Sequence, residues 1–142
     1  MAEKTRDEIF ADTMRPLLRA GETLQCVAYG VKTPPILLII LLMIIGVIPG
    51  VIIGQMLTKY FLVALTDQRV IVARAKGIVQ TEGHFDYPLG KVGGKVTLKE
   101  GWMFTHIAIE HPELPWKAKF HRSGSPNNKA SALAIAAALQ QG

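Results

Sequence analysis

Hydrophobic and polar residues follow three different rhythms along this chain. The first is helical. Within residues 3–18, Ile9, Phe10, Met14, Leu17 and Leu18 recur at helical spacing, with Arg6, Asp7, Arg15 and Arg19 mostly elsewhere on the circumference. This predicts a short amphipathic helix in residues 1–20, interrupted or restarted at Pro16 and ended by Gly21 as a C′ glycine. Packing on its own domain is the favoured place for it, ahead of a membrane surface. The second rhythm is two-residue alternation. Residues 23–32 put Val27, Tyr29 and Val31 on one side and Leu24, Cys26 and Ala28 on the other, a strand pattern. Alternation returns in 60–66, 69–76, 78–87, 92–100, 102–111 and 116–122. The breaks between these runs are a polar turn at Thr66-Asp67-Gln68-Arg69, Pro88 with Gly90, Gly101, and residues 112–115. Short strands at this spacing predict a mainly β sandwich or barrel of about seven antiparallel strands. The gaps are too short for parallel pairs with crossover helices. Ser125-Pro126 then reads as an N-cap with proline at N1. It opens a helix to about Gln140, whose Ala132, Ile135, Ala136 and Leu139 stripe caps the open end of the sheet.

The third pattern has no alternation at all. Residues 34–58 contain no charge, and within 36–57 Gln55 is the only strongly polar residue. As one straight helix, 36–57 would rise about 33 Å, enough to cross a ~30 Å hydrocarbon core. Pro49-Gly50 lies inside it, with Gly46 and Gly54 on either side, and such residues break or turn helices. The choice is between one kinked span and a hydrophobic helical hairpin that dips into one leaflet. A reversal at Pro49-Gly50 leaves arms of roughly 20 Å and 10 Å, neither of which crosses a bilayer. The hairpin is preferred, because strands 23–32 and 60–66 can share one sheet only if their near ends lie together. Ile36, Ile40, Ile44, Ile48, Val51, Ile52 and Leu57 are then the membrane-inserting residues. Lys32 and Lys59 flank the run and favour the cytoplasmic side for both ends.

Composition sharpens this picture. The 142 residues have room for one domain; 49% are apolar and 19% charged, below the ~25% charged residues of an ordinary soluble domain. That deficit comes from residues 34–58. The net charge of +5 is also local: residues 1–35 carry five basic and five acidic side chains, residues 59–142 eleven and six. A basic domain beside an apolar segment points to an anionic lipid surface. Cys26 is the only cysteine, so there is no internal disulfide and a cytoplasmic setting is expected. Charges mixed through the first 20 residues predict no cleavable signal peptide.

No reacting constellation is visible, and neither a cofactor nor an enzyme is expected. His106 and His111 are five apart on a predicted strand and so point to opposite faces, while His84 and His121 have no ligand nearby in sequence. Ser123-Gly124-Ser125 lacks a nucleophile's strand-to-helix setting, and Gly93-Gly94 lacks the spacing of a phosphate loop. Asp67 and Arg69 are expected to hold a turn. Lysines are more suggestive: Lys91, Lys95 and Lys99 share strand parity, as do Lys117, Lys119 and His121. With Lys32 and Lys59, these five lysines are the candidate contacts for a lipid headgroup or a partner; as a plain solvated face they would simply discourage edge pairing. Trp116 and Phe120 take the opposite parity, toward the core, which argues against nucleic acid.

One string carries a family resemblance: Leu62-Val63-Ala64-Leu65-Thr66-Asp67-Gln68-Arg69-Val70-Ile71-Val72, preceded by Gly21-Glu22 and followed by Asp86-Tyr87-Pro88-Leu89. It resembles the bacterial PH-like domains, related in fold to the PH and GRAM modules. The resemblance implies a PH-like domain over residues 21–142, interrupted by the 34–58 segment after its first strand. It also implies a membrane-associated binding or scaffolding role without a cofactor. Eukaryotic lipid-binding PH domains often carry a basic phosphoinositide loop where the apolar run falls here, so phosphoinositide recognition is not implied. The expected function is a membrane-anchored adaptor that binds lipid or protein at the cytoplasmic face. The alternative is a structural homo-oligomer whose apolar segments pack between subunits.

Overall fold

A computed structural model describes residues 5–33, 36–76, 80–90 and 95–140. Helix α1 (Arg6–Met14) is capped by Thr5, whose Oγ1 accepts from the Glu8 amide at 3.3 Å. It is shorter than the 3–18 pattern suggests. Pro16 has no N–H to continue the α-helical ladder, so Arg15–Leu17 tightens into a 3-10 turn. Gly21 is therefore not the helix's C′ residue. It takes a φ of 78° in the turn that leads into the sheet.

Seven antiparallel strands follow among the described residues: β1 (Leu24–Lys32), β2 (Lys59–Thr66), β3 (Arg69–Lys76), β4 (Gln80–Pro88), β5 (Lys95–Glu100), β6 (Phe104–Glu110) and β7 (Trp116–His121). Their order in the one sheet is β4-β3-β2-β1-β7-β6-β5. The sheet is not closed into a barrel; β4 and β5 remain its edges. It is instead sandwich-like, with a short junction between β1 and β7. Val31↔Lys119 is the one residue pair that joins those two strands. Phe61 of β2 and Trp116 of β7 meet across the fold, ring edge to face at 5.6 Å, and Tyr87 Oη donates to the Leu114 carbonyl at 2.6 Å.

The two faces have different covers. One holds the main core: Ala28, Phe61, Val63, Val70, Val72, Ile107, Ile109 and Phe120, closed by helix α4 (Asn128–Gln140) through Ala132, Ile135, Ala136 and Leu139. That stripe is buried as its spacing predicts. The helix begins at Asn128, later than Ser125-Pro126, because the Ser125 hydroxyl is committed to Asp7 Oδ1 at 2.6 Å in the preceding turn. The other face, over β1–β3, is covered by Phe10 and Met14 of α1, packed on Val27, Leu62, Ala64, Ile71 and Ala73. Leu24 packs there too, not beside Cys26 and Ala28. The β1–β2 register slips between Leu24 and Cys26, and the extra residue turns Leu24 to the opposite face.

The hydrophobic helical hairpin expected in residues 36–57 is not seen. Two short helices, α2 (Ile36–Ile45) and α3 (Val47–Leu57), are separated at Gly46, and Pro49-Gly50 lies inside α3. Pro49 occupies the first turn of α3, where a backbone N–H has no intrahelical acceptor, so it opens the helix without breaking it. No described helix is long and apolar enough to cross a membrane. The β1–β2 ladder runs out to Lys32↔Lys59, so the chain leaves the sheet and returns to it at one rung. Lys91, the expected strand starts at Ile78 and Val92, Gly93-Gly94, and the side chains of Ile36 and Val51 lie outside the described residues.

Candidate functional site

Two surfaces lack protein cover, and they adjoin. The first is the α2–α3 insertion. Leu37, Ile44, Ile45, Ile48 and Met56 are each about three-quarters exposed, and Ile40, Ile52 and Leu57 about half. No charge interrupts this surface. Large aliphatic side chains clustered in water like this mark a surface that meets a partner or a membrane.

The second surface is the half of the sheet that α1 does not reach. Strand pairing aligns Lys99, His106, Lys119 and Val31 in one row across β5, β6, β7 and β1, and Thr97, Ala108 and Lys117 in the next. An open groove of about 490 Å³ follows these rows to Lys32 and Thr33, at the root of the insertion. It exists because β1 parts from β7 beyond their single shared rung. Among the described residues no carboxylate lines it. Lys99, Lys117 and Lys95 are exposed, Lys119 is half-buried over the Phe104 ring at 4.6 Å, and none of them has an ion-pair partner among the described residues. His106 is held below its ordinary pKa, first by burial and then by the Lys119 and Lys99 cations. Lys32 and Lys59, like charges, sit directly opposite each other at the root, an unfavourable cross-strand pair when nothing neutralises it.

Of the expected contacts, then, Lys32, Lys99, Lys117 and Lys119 share one groove. Lys95 lies one strand period further out, opposite Glu110. Lys59 marks the returning end of the insertion. The sequence reading missed His106 and Thr97 as members of this face. Their parity on the strand was legible; which strand lies alongside was not.

The residues that carry the family resemblance form a different constellation. Arg69 is buried and gives Nε to Glu22 Oε2 at 2.9 Å, Nη2 to Glu22 Oε1 at 3.1 Å and to the Leu17 carbonyl at 2.9 Å, and Nη1 to Asp86 Oδ2 at 2.5 Å. Thr66 Oγ1 donates to Glu22 Oε2 at 2.7 Å and accepts from the amides of Gln68 and Arg69. The Arg69 guanidinium, acting against the cost of burial, holds the Glu22 carboxyl down at about 2. Every polar group here is consumed by another, so the cluster fastens the β2–β3 turn to the segment before β1 and has no free acid or base to offer. Asp67 does the same at the turn, accepting from the Thr23 amide at 2.9 Å.

Several other polar side chains are occupied in the same way. Asn128 is fully buried and acts as a piece of strand: its Oδ1 accepts from the Tyr29 amide at 2.7 Å, and its Nδ2 donates to the carbonyls of Tyr29 and His121. It bridges β1 and β7 where their ladder has ended. His111 Nδ1 accepts from the Glu113 and Leu114 amides, and His121 Nδ1 from that of Ser123. Burial pushes the Cys26 thiol upward, away from a reactive thiolate. Among the described residues no group of three metal-ligating side chains comes together. No protein-family model matches this chain, and no match was found among curated proteins or solved structures.

Proposed function

We propose that this chain is a non-catalytic, PH-like adaptor or scaffold, attached to the cytoplasmic face of a membrane by its α2–α3 insertion. The observation that carries this reading is the exposed, uncharged apolar surface of those two helices. Each buried aliphatic side chain gains about 1.5–3 kcal/mol over its exposed state, so an apolar phase would hold this surface tightly. Helix length supports insertion into one leaflet. With 10 and 11 residues, α2 and α3 rise about 15 Å and 16 Å, close to half of a ~30 Å hydrocarbon core. The shared rung Lys32↔Lys59 supports entry and exit on the same side.

Flotation of the full chain with phosphatidylcholine vesicles, followed by a high-salt wash, tests the reading. The wild type should stay with the vesicles, and Ile40→Asp/Ile44→Asp should be released with its β-sheet circular dichroism intact. A wild type that is soluble and monodisperse without detergent refutes membrane attachment. A soluble wild type of defined higher mass supports the rival homo-oligomer, with α2 and α3 buried between subunits.

A further inference from the structure

We propose that the groove between β1 and β7 is a docking surface for the phosphodiester headgroups of an anionic leaflet, so that the domain selects negatively charged membrane. The inference rests on the membrane-attached reading above and adds the lipid chemistry. Three independent features point to anions. Lys99, Lys117 and Lys119 line one groove without a carboxylate among the described residues, although β5 and β6, the other strands of that half of the sheet, carry acidic residues. Glu100 is turned away and pairs with Lys129 of α4 at 3.2 Å. Glu110 lies on the same face one row further out, opposite Lys95 and in an adjoining cleft with Lys32 and Lys117, and forms no ion pair with any of these lysines among the described residues. Next, the Lys32↔Lys59 pair sets two cations on one rung, neither in an ion pair among the described residues, a cost that an adjacent phosphate lowers. Position is the third feature. The groove ends at Thr33, where the chain departs for α2, so a leaflet that receives the helices brings its headgroups to the lysines. Lys119 is also held over Phe104, which keeps the ammonium group on this face.

The commitment is to lipid phosphate over a soluble anion or an acidic protein, because only a bilayer engages the apolar helices and the adjoining cations together. The test is a competition for the full chain between vesicles of phosphatidylcholine alone and vesicles that contain about a third phosphatidylglycerol, at low salt. The wild type should favour the anionic population by at least about a hundred-fold, and Lys99→Gln/Lys117→Gln/Lys119→Gln should cut that preference about a hundred-fold, leaving only what Lys32 and Lys59 contribute, while partition into phosphatidylcholine stays unchanged. Because Lys119 packs on Phe104, the exposed pair Lys99→Gln/Lys117→Gln is a second variant that leaves this contact in place; it should lose about thirty-fold. Equal wild-type partition into both vesicle types overturns the inference and leaves membrane attachment standing. A triple variant that is folded and keeps its preference also overturns it. So does suppression of the preference by inorganic phosphate at constant ionic strength, which would mark a site for soluble anions. Failure to bind either vesicle removes the attachment reading, and this inference with it.

Discussion

Replacing Arg69 by methionine removes the cation that neutralises two carboxylates and keeps most of the side-chain volume. In the native fold the Glu22 side chain is fully buried and Arg69 is 6% exposed, with the guanidinium bonded to both Glu22 oxygens. Breaking such a pair from one side costs about 3–5 kcal/mol, because the remaining charge keeps its desolvation penalty and loses its compensation. The pH dependence gives a sharper check. In the wild type the Glu22 pKa falls from 4.5 to about 2 on folding, so its contribution is fully present above pH 4.5 and is lost as pH drops toward 2. A shift of that size corresponds to about 3 kcal/mol. In Arg69→Met, burial is no longer opposed by the cation and the Glu22 pKa moves up. The Arg19 amide and the Thr66 hydroxyl still lower it, so the stability gained above pH 4.5 shrinks with the loss of the largest cause, the Arg69 hydrogen bonds. Urea unfolding in a mild detergent, followed by tryptophan fluorescence from pH 2.5 to 7, measures both effects. The other carboxylates titrate in both proteins, so the difference between the two curves isolates this cluster. The variant should be about 3–5 kcal/mol less stable at pH 7, and the gap should narrow steadily on acidification. A loss below about 1 kcal/mol at pH 7, or a gap independent of pH, refutes the claim that Glu22 and Arg69 stabilise the fold as a buried pair.

Two further substitutions test how the halves of the sheet are joined. A Cβ at Gly30 would lie 2.8 Å from Phe120 Cε1, so Gly30→Ala should cost about 1–3 kcal/mol in thermal or urea unfolding, and Phe120→Leu should restore part of it. Asn128→Ala strips partners from the Tyr29 amide and from the carbonyls of Tyr29 and His121; it should cost at least about 2 kcal/mol and speed hydrogen exchange at the Tyr29 amide.

Much of this molecule is written locally. β2 and β3 read as short continuous apolar runs because both of their faces are covered. Alternation marks strands such as β5 and β7, because a side chain's face on a strand depends only on its own parity. The Ala132, Ile135, Ala136 and Leu139 stripe identifies α4's buried face for the same reason, at helical period. The uncharged run 36–57 is legible from composition alone. Pro49 was harder to read, since the same residue breaks a helix from inside and starts one from its first turn. Whether the helix boundary lies before or after it depends on Gly46, three residues away.

What tertiary structure alone decided involves residues distant in sequence. Glu22 and Arg69 are 47 positions apart, and Tyr29 and Asn128 are 99 apart; nothing in either neighbourhood names the other. A single slipped residue between Leu24 and Cys26 turned Leu24 to the opposite face, although every residue's polarity fitted the simpler register. The sheet stays open because β4 and β5 do not pair with each other, which the sequence of either strand does not disclose. The basic groove is of the same kind. Lys99, His106 and Lys119 each show their parity in the sequence, but they form one row only because β7 pairs with both β6 and β1. Pairing order is a global free-energy choice among strands with similar local patterns, so it emerges only when the whole chain has folded.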